Sequence, residues 1–158
     1  MKLQKQKDHN CFLYASAMAL DVPVDDIIKY TGHDGTKIWW PENTGAARYR
    51  GHHPQEILDF ALDNGMVFVM IERRIIAAPD ERTAPRVVPS GLMIHAINMY
   101  DGVLYMPGGT CVHAVAWDHQ NRHIYDPRGY ILKDDDTIKM MIKASTIFFI
   151  AAKLRSQR

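Results

Sequence analysis

The sequence predicts an α+β domain, with N-terminal helices packed on an antiparallel sheet drawn from the C-terminal half. Three observations carry this. Helix signals fill the chain up to Gly65, strand-like runs dominate from Met66 onward, and the two kinds of segment do not alternate as βαβ units would. A length of 158 residues fits one domain spanning 1–158.

The elements follow in chain order. Cys11 to Leu20, CFLYASAMAL, is alanine-rich and apolar on nearly every side, the pattern of a helix buried all round. Asn10 just before it is a good N-cap. A second helix covers Val24 to Tyr30, opened by Pro23 and closed by Gly32. Thr31 to Gly51 contains Gly35, Pro41 and Gly45 with Trp39-Trp40, lacks periodicity and reads as a long loop, with a turn at His33-Asp34-Gly35. A third helix starts near Pro54, carries Ile57, Leu58, Ala61 and Leu62 on one side, and stops at Asp63-Asn64-Gly65. Met66 to Glu72, MVFVMIE, is a strand. Ala77 to Gly91 holds three prolines and reads as an exposed loop, and Gly91 to Tyr100 fits helix or strand. Strand-like runs follow at Gly102–Met106, Cys111–Trp117, His123–Asp126 and Thr146–Ala152, with a turn at Asp118–Asn121 and a short helix over Asp134–Lys143.

Apolar residues make up 47% and charged residues 23%, enough for a core and unlike a disordered chain. Net charge is +1, from 19 basic and 18 acidic residues, without the one-sided basic excess of a nucleic-acid binder. The basic tail Lys153, Arg155, Arg158 and the pair Arg73-Arg74 read as solvated surface. The polar start MKLQKQKDHN has no apolar stretch like a secretory signal, and no run approaches the ~18 residues that span a bilayer. A cytoplasmic setting is therefore expected, with no membrane and no nucleic acid as partner. There Cys11 and Cys111 are candidates for catalysis or metal binding rather than for a disulfide.

Cys11 sits in the first turn of the buried helix. Free N–H groups and the helix dipole favour an anion there, and the same N–H groups can face an oxyanion. A small buried hydrophobe is the plain alternative for a cysteine. His113 lies in CVHAVAWD, where alternation puts it on one face with Val115 and Trp117. A histidine among apolar neighbours needs a partner, and a thiolate would be one. Asp126 ends the next strand, and Pro127 breaks the ladder after it. Pairing Trp117 with Arg122 in that hairpin sets His113 opposite Asp126, within reach of the ring. A general base and its orienting group need such an arrangement.

With these residues in view, the chain resembles a known family. HNCFLYASAMALDVPVDDIIKYTG is similar to the nucleophile helix and following helix of papain-like cysteine peptidases. HAVAWDHQNRHIYDPRG resembles the His…Asp-Pro segment of the bacteriocin-processing (double-glycine) peptidase domains and their stand-alone relatives. The likeness covers the start of the chain and Gly102 to Gly129. It implies a papain-like fold in which Cys11 attacks a peptide carbonyl, His113 takes and returns the proton, and Asp126 fixes the ring. It also implies an oxyanion-hole glutamine, usually six residues before the cysteine. That position is Lys5 here, flanked by Gln6 and Gln4, of which Gln6 is preferred. Cys11-Phe12 stands where Cys-Gly is common.

The expected activity is that of a cysteine peptidase or related acyl-transfer hydrolase, working through a thioester on a peptide or protein substrate. No cofactor or metal is called for. Two alternatives use the same residues. One is a papain-like binding module with an idle triad. The other is a zinc-stabilised interaction domain holding the ion through His9, Cys11, Cys111 and His113. His95 is a second candidate base, without a downstream aspartate in a comparable frame. His52-His53, before the third helix, could bind metal but reads better as an exposed loop pair. Gly108-Gly109 is similar to the family's cleavage signal but reads as a turn, and Trp39-Trp40 could line a cleft or cover the core.

Overall fold

A computed structural model describes residues 1–7, 10–39, 48–49, 51–76, 86–88, 91–106 and 113–154. Among them the chain is α+β, with five helices and a six-stranded antiparallel sheet. Three helices come first: α1 (Cys11–Leu20), α2 (Val24–Thr31) and α3 (Pro54–Asp63). The short strands β1 (Ile38–Trp39) and β2 (Arg48–Tyr49) pair between the second and third helices. Next come β3 (Met66–Glu72), the paired strands β4 (Arg74–Ile76) and β5 (Arg86–Val88), and α4 (Gly91–Met99). The chain ends with β6 (Gly102–Met106), β7 (His113–Asp118), β8 (His123–Asp126), β9 (Tyr130–Leu132), α5 (Asp135–Ala144) and β10 (Ile147–Lys153). The large sheet runs β3-β10-β6-β7-β8-β9.

α1 is the hub. Every residue from Phe12 to Leu20 is buried, as its all-round apolar sequence requires. It packs on one face of the sheet against Val103, Ala114, Ala116 and Phe149, with α2 and α3 beside it. The small side chains of Ala114 and Ala116 allow the helix close to β7. On the other face α4 and α5 cover Leu104, Val115, Trp117 and Ile124 through Met93, Ile97 and Ile138. The alternation along Ala114–Trp117 thus separates the two cores. Gly102 lets β6 approach β10, since a Cβ there would lie 2.2 Å from the Phe149 carbonyl oxygen.

Several expectations need correction. The loop read over Thr31–Gly51 contains the β1–β2 ladder, and the proline-rich segment before α4 contributes β5. The ambiguous Gly91–Met99 is a helix. β9 was not expected. It is a three-residue edge strand whose Tyr130 and Ile131 are exposed, so no burial alternation marks it. Arg73 is not surface. It is buried, and its guanidinium donates to the Ile142 and Lys143 carbonyls at the end of α5, where a cation suits the helix dipole.

Candidate active site

The start of α1, the start of β7 and the end of β8 converge at one rim of the sheet. His113 opens β7 and Asp126 closes β8. The expected register between these strands is wrong by one residue on each. Asp118 pairs with His123, Trp117 with Ile124 and Ala116 with Tyr125. The turn is therefore 119–122. Asp118 fixes it by accepting from the Asn121 backbone N–H at 3.0 Å and side chain at 2.9 Å, and Arg122 takes a left-handed φ of 53°. Extending that register puts Asp126 opposite Val115, on the same strand face as His113 but one diagonal step away. Diagonal neighbours remain within reach of long side chains. His113 Nε2 and Asp126 Oδ2 are 2.9 Å apart.

Cys11 hydrogen-bonds the same imidazole. Since Nε2 is engaged by Asp126, the contact to Cys11 falls to Nδ1. The ring thus bridges thiol and carboxylate. The hydrogen bond to Asp126, and then that to Cys11, push the His113 pKa from 6.5 up to about 9 against the opposing effect of burial. Burial alone would raise the Asp126 carboxyl. Hydrogen bonds from His113 and from the Arg128 side chain and backbone outweigh it and hold the group well below the usual carboxylate range. The result favours the imidazolium form of His113 beside an ionised Asp126 whose side chain is only 2% exposed.

Arg128 was not anticipated. Pro127 has no N–H, so the first backbone donor after Asp126 is that of Arg128, which reaches Oδ1 at 2.9 Å. The guanidinium then folds back onto both carboxylate oxygens. The Asp-Pro-Arg sequence was the available signal, an Asx turn that presents a cation to its own aspartate.

The two candidate glutamines separate cleanly. Gln4 is committed to the α1–α2 turn: its side-chain N–H₂ donates to Val22 O at 2.7 Å, and its oxygen accepts from Val24 N–H at 2.8 Å. Gln6 lies along the turn that carries Asp126, donating its backbone N–H to Pro127 O at 2.7 Å. Its side-chain oxygen is buried without a protein partner.

Asn10 occupies the N-cap position of α1, but its side chain does not cap the helix. It donates instead to Asp34 O at 2.6 Å and meets His52 Nδ1 at 3.1 Å. His52 is buried, not an exposed loop residue, and its ring stacks on His33, which pairs with Glu56 at 2.9 Å. His53 caps α3 through a capping box with Glu56. Gly35 makes this packing possible. It has a φ of 77°, and a Cβ there would sit 2.5 Å from Asn10 Nδ2 and 3.0 Å from His52 Nδ1. Asp34, Gly35, His33 and His52 thereby anchor the residue just before the thiol.

A groove of about 250 Å³ opens at Cys11, walled by Phe12, Tyr105, Met70, Ile147 and Phe149. It adjoins a second apolar groove of about 470 Å³ that shares Pro54, Met70 and Phe149 and extends along Leu58 and Val69. Burial, and then the charge of Cys11, raise the Tyr105 phenol. A third cavity of about 290 Å³ lies at the other end of α1, roughly 13 Å from Cys11 by helix rise. It holds an Asp101–His119 pair at 2.7 Å, but its described walls offer no cysteine, serine or threonine.

His95 is exposed on α4, across the sheet from α1, and is not part of the site. His9, Cys111, Trp40 and Gly108-Gly109 lie outside the described residues, as do Arg155 and Arg158. Among the described residues no three His, Cys, Asp or Glu side chains are grouped to hold a metal ion. No described helix is long and apolar enough to cross a membrane. No protein-family model matches the chain, and no curated protein matches it.

Proposed function

We propose that the chain is a cysteine peptidase or closely related acyl-transfer hydrolase of papain-like fold, acting on a peptide or protein substrate. The observation that carries this reading is the His113 imidazole bridging Cys11 and Asp126. A cysteine at the start of a buried helix, a base and an ionised orienting group form one connected chain, as nucleophilic thiol catalysis requires.

In this reading the Cys11 sulfur attacks the scissile carbonyl carbon, and the carbonyl oxygen becomes an oxyanion. In this reading the N–H groups of the first turn of α1 and the side-chain amide of Gln6 receive it. His113 gives its Nδ1 proton to the leaving amine, the C–N bond breaks, and a Cys11 thioester remains. Water then attacks the thioester while His113 accepts its proton. The tetrahedral adduct collapses, the acid leaves, and Cys11 is restored as thiolate with His113 as imidazolium. Asp126 stays ionised throughout and holds Nε2. The apolar groove beside Cys11 supports an acyl segment with a large apolar side chain, and Phe12, in place of a glycine, contributes to its wall.

The test is turnover of a fluorogenic peptide library varied at the residues on the acyl side. Cleavage favouring apolar side chains, abolished by Cys11→Ala with an unchanged melting temperature, supports the reading. Absence of turnover with unaltered folding would favour the idle binding module.

A further inference from the structure

We propose that Arg128 is a positioning residue for the triad, a guanidinium clamp that fixes Asp126 in the plane in which its Oδ2 meets His113. This rests on the reading of Cys11, His113 and Asp126 as a working triad.

The geometry is unusually complete for two residues only two positions apart. Oδ1 accepts the Arg128 backbone N–H at 2.9 Å and Nε at 3.1 Å. Oδ2 accepts Nε at 3.2 Å and Nη2 at 2.7 Å, besides the His113 contact at 2.9 Å. The carboxylate is therefore held along its whole edge by a planar fork, which a point-charge ammonium cannot reproduce. Exposure is asymmetric: the Asp126 side chain is 2% exposed and that of Arg128 58%. An ordinary surface ion pair would leave both partners in water and contribute little. Here the cation lies over a buried anion, on its solvent side, so it satisfies the lone pairs that His113 cannot reach and keeps water from them.

The clamp has a cost. The positive charge of Arg128 works against the imidazolium of His113, while the charge of Cys11 is felt at Arg128. A cation so placed could act on the thiolate directly, by charge, or through Asp126, by geometry. The two routes give different results under substitution.

The experiment is a double-substitution cycle read by the iodoacetamide labelling rate of Cys11 at pH 6 in the full chain, with melting temperatures recorded for every variant. Arg128→Gln is expected to slow labelling about 3- to 30-fold in the native background, inside the range of coupling within one hydrogen-bonded network. It is expected to change labelling less than about 2-fold when Asp126 is already Asn. Arg128→Lys, which keeps the charge and leaves no buried anion unpaired, is expected to slow labelling as well. If Arg128→Lys labels at the native rate, or if Arg128→Gln acts equally in both backgrounds, the clamp is wrong and the effect is one of charge or of local folding. His113→Ala is the control. If it slows labelling while the Arg128 variants do not, the clamp fails and the triad stands. If His113→Ala has no effect, both fail together.

Discussion

Replacing Asp126 with asparagine removes the charge that holds His113 protonated, and the structure sets the size of the effect. His113 titrates at about 9 instead of 6.5, and the hydrogen bond to Asp126 is the largest cause. At roughly 1.36 kcal/mol per pH unit the gap is worth about 3 kcal/mol in favour of the imidazolium. The His113 side chain is 24% exposed, so solvent screening does not erase that figure. Cys11 supplies the second contribution and burial opposes both. In Asp126→Asn the His113 midpoint should fall by two pH units or more, to the ordinary histidine range. The assay is an NMR titration of the imidazole protons, with the His113 signal assigned by its loss in His113→Ala. The folded pKa is raised above the unfolded one, so the stabilisation is fully present below pH 6.5 and is lost as pH rises through about 9. Chemical denaturation should show this fall between pH 6.5 and 9 in the native chain and not in Asp126→Asn. A His113 midpoint that stays near 9 in the variant would refute the reasoning, because the charge stabilising the imidazolium would then lie elsewhere.

Further expectations follow from the same geometry. Gln6→Ala should leave stability within about 0.5 kcal/mol of native while lowering turnover by about 100-fold, as loss of an oxyanion donor does. Gln4→Ala should do the reverse, costing about 1–2 kcal/mol in denaturant unfolding with little change in Cys11 labelling, since it frees Val22 O and Val24 N–H. Gly35→Ala should destabilise by about 1–3 kcal/mol, from its left-handed backbone and the contact with Asn10 and His52, and should slow Cys11 labelling because the entry to α1 shifts. Asp126 contributes in the opposite pH sense to His113. Its folded pKa is depressed, so its stabilisation is present above about pH 4 and is lost on acidification below that. Acid unfolding monitored by circular dichroism should shift to higher pH in His113→Ala.

The parts of the fold set by local chemistry were legible. The Cys11–Leu20 run, apolar on nearly every side, had to be a buried helix, and β3, β6, β8 and β10 appear close to where their β-branched and aromatic runs lie. Cys11, His113 and Asp126 were found from position and residue type, and the structure brings all three together. The register was not legible, because it depends on whether Asp118 ends the strand or begins the turn. Its side-chain bonds to Asn121 and the left-handed Arg122 put the turn one residue later. Arg122 also lies over the Trp117 ring at 5.8 Å, a cation–π contact that no spacing rule announces. The role of His52 was hidden for another reason. Its partner Asn10 is 42 residues away, and only the tertiary fold, with a glycine at position 35, lets them meet. Arg128 was local and readable in principle. What hides it is that the role belongs to the Asx turn after Pro127, which only the folded backbone shows.

The central claim is that Cys11 is activated by His113. The most direct test is the rate of iodoacetamide labelling of Cys11 relative to Cys111 between pH 5 and 9, read by mass spectrometry on the intact chain and repeated in His113→Ala. The account predicts that Cys11 labels faster than Cys111 at pH 6, well below the free-thiol value of about 8.5, and that His113→Ala removes the difference. Equal labelling of the two cysteines, or a Cys11 rate indifferent to His113, would contradict it.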